Sequence, residues 1–191
     1  MEAAFALEHI SIGFNGIPVL RDASFVLRQN EVHAIAGKNG AGKSTLMKVL
    51  TGVYKPDSGK ITIAGKSGSK SSSKSSSLGS AADMLRQGVA MVYQDLSLIP
   101  SMTVTQNIFL SRHPYQRCGF LQDGKARKAV RQIFAEMGGI DFISPDALVS
   151  ELSVGEAQLV EIAKALAGKP RIVVFDEPTA ALSDIETAQL F

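Results

Sequence analysis

"GKNGAGKST", Gly37 to Thr45, is the stretch whose reading decides the fold. It follows a short apolar run, "EVHAIAG", and leads into "KSTLMKVLTG", where the apolar spacing is helical. Strand, glycine-rich turn and helix form the setting in which G-x-x-x-x-G-K-[ST] acts as a phosphate loop. The reason is local. Glycines let backbone N–H groups turn inward with no Cβ in the way, and the start of the helix adds its partial positive charge. On this reading Gly37, Asn39, Gly40, Ala41, Gly42, Lys43, Ser44 and Thr45 are the binding candidates. Lys43 places a cation at the β- and γ-phosphate oxygens, and the Ser44 hydroxyl becomes a ligand for Mg²⁺.

Working outward, "FALEHISIGF" and "PVLRDASFVL" read as strands joined by a turn at Asn15-Gly16. "EVHAIAG" is expected as a buried strand ending in a glycine, and Gly52 is placed to close the helix that follows the loop. "YKPDSGKITIAG" is a turn and another strand, and "GVAMVYQD" a core strand running into a loop. Helical spacing covers Leu121 to Gly138 and Val154 to Gly168. "RIVVFDE" is a continuously apolar strand of the kind buried on both faces of a parallel sheet. Strands alternating with helices argue for an α/β fold. "KSGSKSSSKSSSLGS", Lys66 to Ser80, has almost nothing to bury and is expected as a flexible surface loop, or as a linker replacing something else.

Two further stretches carry chemistry. "IVVFDE", Ile172 to Glu177, ends a buried strand in two carboxylates, at the sheet edge where such folds bind ligands. Asp176 would hold Mg²⁺, and Glu177 could polarise an attacking water as general base. "ELSVGEAQ", Glu151 to Gln158, has two readings. Ser153 followed by Glu156 is a capping box that opens a helix. A small-residue turn at a helix N-terminus is also an anion site.

Bulk properties limit the function classes. The chain has 191 residues, is 45% hydrophobic and 20% charged, and carries a net charge of +2, too small for a nucleic-acid-binding stripe. One cysteine, Cys118, excludes an internal disulfide and fits a reducing compartment. "MEAAFALEHI" reads as neither signal peptide nor anchor, and no apolar run is long enough to span a bilayer. His9, His33 and His113 show no ligand spacing.

The phosphate loop, "LSVGEAQ" and "FDEPTAAL", in that order, resemble the ATP-binding cassette (ABC) ATPases over nearly the whole chain. The resemblance implies a P-loop NTPase with a RecA-like core sheet, an N-terminal antiparallel β subdomain and an inserted helical subdomain. The core would comprise 1–93 and 168–191, and the helical part about 94–167. It implies ATP with Mg²⁺, sandwiched head to tail against a second cassette, whose Ser153 and Gly155 equivalents contact the γ-phosphate. Gln94 in "VYQDLSLIP" matches the glutamine that touches Mg²⁺ and the attacking water, and Phe14 matches the aromatic that stacks on adenine. The commoner signature is L-S-G-G-Q. Val154 and Glu156 depart from it, and Glu156 is expected to point back to the cap. Ser183 stands where many members carry an aspartate.

The wording around the motifs is closest to the bacterial importers of simple sugars, in the N-terminal cassette of a two-cassette chain. That branch implies membrane-spanning permease subunits, a periplasmic sugar-binding protein, no nucleic acid, and a peripheral place on the cytoplasmic face of the inner membrane. The segment after Gln94 would dock the permease. Past "DEPTAALSDIETAQLF" the family continues into a further strand and a histidine at the γ-phosphate, so the resemblance expects the last core strands to be missing and hydrolysis to be poor. Two other classes compete. A non-transport ABC ATPase acting in DNA repair or on ribosomes would carry a long coiled-coil insertion or a strongly basic linker. A small-molecule kinase would need an acceptor site and has no use for "LSVGE".

Overall fold

In the computed structural model the described residues are 3–63, 80–110 and 123–177. They divide into two units, Met1–Val89 and Ala90–Phe191.

The first unit is built on a hairpin of β1 (Ala3–Phe14) and β2 (Ile17–Arg28), with β3 (Ser58–Ile63) antiparallel on the other side of β1. Asn15 and Gly16 both take positive φ, 52° and 79°, which gives the turn the twist a two-residue hairpin needs. Central β1 buries Phe5, Leu7, Ile10 and Ile12, and Leu20 of β2 joins them. Helix α1 (Lys43–Leu50) buries Val49 and Leu50. It ends as expected at Gly52. The Gly52 amide bonds to Val49 O at 3.1 Å and the Val53 amide to Lys48 O at 2.8 Å, the paired bonds of a Schellman stop. Ser80 and Asp83 form a capping box on α2 (Ala81–Arg86), so the last serine of the tract begins a helix. The rest of the tract lies outside the described residues.

The expected strand over "EVHAIAG" is corrected. Residues 31–38 take no strand or helix, and Val32 is 99% exposed. A strand exists only with a ladder partner, and intrinsic preference cannot replace one. Among the described residues the β2-β1-β3 sheet takes no fourth strand, and no strand pairs with this segment.

All but the first residue of β4 (Val89–Val92) belongs to the second unit, where the strand pairs with β5 (Ile172–Phe175). "RIVVFDE" is a strand, but only Ile172 is buried, while Val173 to Phe175 are half-buried. The expectation of burial on both faces is corrected: three of the four residues of β5 keep part of their surface in contact with solvent, and among the described residues β5 has a strand partner on one edge only. Helices α3 (Val104–Ile108), α4 (Asp123–Glu136) and α5 (Val154–Leu166) enclose the core. Ala126, Val130 and Phe134 recur every four residues along α4 and meet Val104, Leu159 and Val160. Among the described residues, no helix is long and apolar enough to cross a membrane.

Asn107 of α3 is completely buried and organises the chain before its own helix. Its Oδ1 accepts from Ile99 N at 2.7 Å, and its Nδ2 donates to Ile99 O, Met102 O and Thr103 O at 3.0, 3.3 and 3.1 Å. Asn107→Leu keeps the volume and removes all four side-chain bonds, which leaves the Ile99 amide unsatisfied while each of the three carbonyls keeps one backbone donor. The expected cost is about 2–4 kcal/mol, read as a lower urea midpoint at constant slope. An unchanged midpoint would show that the loop 99–103 does not depend on Asn107.

Candidate nucleotide-binding site

The phosphate loop folds around its own lysine. Lys43 Nζ donates to Gly37 O at 2.9 Å and Lys38 O at 3.1 Å, and the Ala41 amide donates to Lys38 O at 3.1 Å. The carbonyls of 37 and 38 are thereby turned toward the ammonium. Gly37 to Ala41 are exposed, so the loop faces solvent at the N-terminus of α1, the positive end of the helix. Gly40 has φ +80° and open space where a Cβ would stand. Gly42 has φ +90°, and a Cβ there would lie 2.8 Å from Leu20 Cδ2 and 3.3 Å from Val19 O. Gly42→Ala is therefore expected to cost about 1–2 kcal/mol from the left-handed backbone alone. Thermal unfolding would show it, and a neutral result would mean that the loop takes another conformation.

Phe14 lies at the same end of the hairpin. Gly42 rests against Leu20, Leu20 pairs with Ile12, and Phe14 is two residues further along β1, about 7 Å. Its ring is 40% exposed and meets Tyr54 edge-on at 5.1 Å. Lys48 Nζ stands 5.5 Å from the Tyr54 ring centroid. Tyr54 carried no signal in the sequence; it emerges only because α1 stops at Gly52 and turns the chain back toward β1.

In the second unit, β5 delivers Asp176 and Glu177 to different environments. Asp176 is buried, and its amide donates to Val92 O at 3.0 Å, which ties it to the end of β4. Glu177 is exposed and takes φ +51°, a left-handed backbone that costs a residue with a Cβ on the order of 1–2 kcal/mol. Gln94, exposed, lies two residues past β4. Asp176 and the Gln94 loop are thus brought together across one sheet pairing.

At the start of α5 the capping box is complete. Glu156 N donates to Ser153 Oγ at 3.2 Å, and Ser153 N donates to Glu156 Oε2 at 2.7 Å. Glu156 points back to the cap as expected, and Val154 is 64% exposed. Ser153 is exposed and Gly155 buried. A second anchor on this helix has no signature in the residue pattern. Buried Glu161 accepts from Ser97 Oγ at 2.6 Å and Ser97 N at 3.3 Å. Burial pushes the Tyr93 hydroxyl pKa up, and the Glu161 carboxylate adds to the rise.

Ser44, Gln94 and Asp176 each offer a hard oxygen ligand. Among the described residues no group of three or more His, Cys, Asp or Glu side chains could hold a metal. Mg²⁺ carried by phosphates, water and one carboxylate needs no such cage. Ser183 and His113 lie outside the described residues.

A family profile described as "ABC transporter" matches residues 20–180. The ribose import ATP-binding protein RbsA of a Bacillus cereus strain is 42% identical over 186 residues, which cover 97% of this chain and 36% of that one. The arabinose import ATP-binding protein AraG of Chromohalobacter salexigens is 42% identical over 189 residues, covering 99% and 36%. The chain therefore spans only about a third of the length of these relatives. Among solved structures, a nucleotide-free ATP-binding cassette from an ABC transporter matches with a TM-score of 0.77 at 23% identity, over 99% of this chain and 74% of that one. At that identity the likeness speaks for the fold alone. Since the family profile takes in most of the sequence, the phosphate loop and the Asp176–Glu177 strand end included, the chain belongs to the ABC transporter family.

Proposed function

We propose that this chain is the ATP-binding and ATP-hydrolysing unit of an importer of simple sugars. The observation that carries the nucleotide half is the loop closed on Lys43 at the head of α1. The sugar half rests on relatives named for ribose and arabinose import.

In this reading Lys43 leaves the two carbonyls and takes the β- and γ-phosphate oxygens, while the loop amides hold the β-phosphate. Phe14 stacks on the adenine, and Asn39, Ala41 and Thr45 complete the binding set. Ser44, Asp176 and Gln94 would hold Mg²⁺. When bound, that ion neutralises charge on the phosphates as the terminal bond breaks. Glu177, exposed at the strand end, orients the attacking water and accepts its proton. Ser153 and Gly155 serve the nucleotide of a second cassette, arranged head to tail; their helix end supplies donors to the γ-phosphate. Because each cage needs a second cassette, turnover by dilute chain is expected to be slow.

Movement of the Gln94 loop would carry closure and opening to membrane-spanning permease subunits, with a periplasmic sugar-binding protein delivering substrate on the far side. The chain would then sit peripherally on the cytoplasmic face of the inner membrane, with no role for nucleic acid. Incubation with γ-labelled ATP, Mg²⁺ and ribose tests the reaction class. Label is expected in inorganic phosphate and none on the sugar; label on the sugar would make this a kinase. Co-purification with a polytopic membrane protein supports the importer, and co-purification with nucleic acid instead contradicts it.

A further inference from the structure

Ser97 has every polar group engaged by one helix. Its amide and hydroxyl donate to Glu161, at 3.3 and 2.6 Å. Its carbonyl and hydroxyl oxygens accept from Lys164 Nζ, at 3.1 and 2.8 Å. Lys164 and Glu161 are themselves 3.6 Å apart. Glu161 is 4% exposed, on a stretch of α5 where Leu159, Val160, Ile162 and Ala163 are buried as well. A carboxylate in such surroundings is costly unless it is paired and hydrogen-bonded, and an apolar side chain would pack there without that cost. A helix needed only for packing has no use for this charge.

The position of Ser97 gives the charge a use. Upstream, β4 is tied to the Asp176 strand through the bond between Asp176 N and Val92 O, 3.0 Å. Tyr93, Gln94, Asp95 and Leu96 are all that separates that tie from the clamp on Ser97. Four extended residues reach at most about 14 Å, so Gln94 hangs on a short tether fixed at both ends. The clamp sits on α5, and Ser153 starts that helix about 12 Å from Glu161 along its axis.

We infer that Glu161 is a positioning residue for Gln94: with Lys164 it locks the Gln94 loop to the helix that carries Ser153 and Gly155, so that the two move as one body. The inference rests on the nucleotide reading above and goes beyond it, since Glu161 touches neither nucleotide nor metal. A displacement of the α5 start by the phosphate of a facing nucleotide reaches Gln94 through this clamp, and a pull on the Gln94 loop reaches Ser153 by the same route.

The test combines amide exchange with titration of a fluorescent ATP analogue, with and without Mg²⁺. It uses the unaltered chain, Glu161→Ala, Gln94→Ala and the double variant. In Glu161→Ala, exchange over 94–98 is expected to speed up about ten-fold or more while the α5 amides hold. Affinity without Mg²⁺ stays unchanged. The gain in affinity that Mg²⁺ brings falls about five-fold or more, to the level of Gln94→Ala, and the double variant is no weaker. Ser97→Ala, which leaves the helix intact, shows the same pattern in smaller degree and serves if Glu161→Ala does not fold. An undiminished Mg²⁺ gain in the clamp variants, or losses that add in full in the double variant, overturns the inference. Absence of ATP binding by the unaltered chain overturns the nucleotide reading, and the inference falls with it.

Discussion

Lys43→Ala is expected to weaken ATP binding by about 100-fold or more. The ammonium is held at the centre of the loop by Gly37 O and Lys38 O, and its bonds to phosphate are of the strong, charge-assisted kind. Removing such a contact costs about 3 kcal/mol, which is roughly a hundred-fold in affinity. The Lys43 bonds to Gly37 O and Lys38 O are given up on binding in any case, and Lys38 O keeps the Ala41 amide, so the phosphate contact carries the loss. Lys43 is only half-buried, so the fold should survive and thermal unfolding should move little. Unimpaired binding by Lys43→Ala in a titration would remove the loop from the nucleotide site.

Glu177→Gln should do the opposite. Binding stays intact, because the side chain is exposed and makes no phosphate contact in this reading. Phosphate release falls by about 10²–10⁴-fold, the range over which a positioned general base contributes. Glutamine keeps the shape and a hydrogen-bond acceptor but cannot take the proton from water. With hydrolysis blocked, two chains should remain paired around ATP, visible as a slower-diffusing species in light scattering with ATP and not with ADP. The left-handed backbone at this residue fits that role: strain of this kind persists where the chemistry needs a side chain aimed one way. Wild-type rates in Glu177→Gln would move the base to another residue.

Features written into short spans were legible in the sequence. The phosphate loop, the Asn15-Gly16 turn, the stop at Gly52 and the Ser153–Glu156 box each depend on a few adjacent residues whose backbone needs are local. The readings that failed depend on partners distant in the chain. "EVHAIAG" has the composition of a strand, yet no described strand pairs with it, and without a ladder composition decides nothing. "RIVVFDE" is a strand only half-buried, because burial is set by what lies on either side of a sheet. Asn107 was illegible for another reason. One amide in a helix carries no pattern, and its value comes from the loop 99–103 folding back over it. Glu161 and Lys164 have the spacing of an ordinary surface ion pair, and only the approach of Ser97, far away in sequence, shows what they hold.

The measurement that bears most directly on the central claim is a titration of the purified chain with a fluorescent ATP analogue and Mg²⁺, beside Lys43→Ala, with phosphate release followed in the same samples. Saturable binding that the variant loses, accompanied by slow release from the unaltered chain, is the predicted result. Failure of the unaltered chain to bind, or equal binding by the two, would contradict the claim that Gly37 to Thr45 is a working nucleotide cradle.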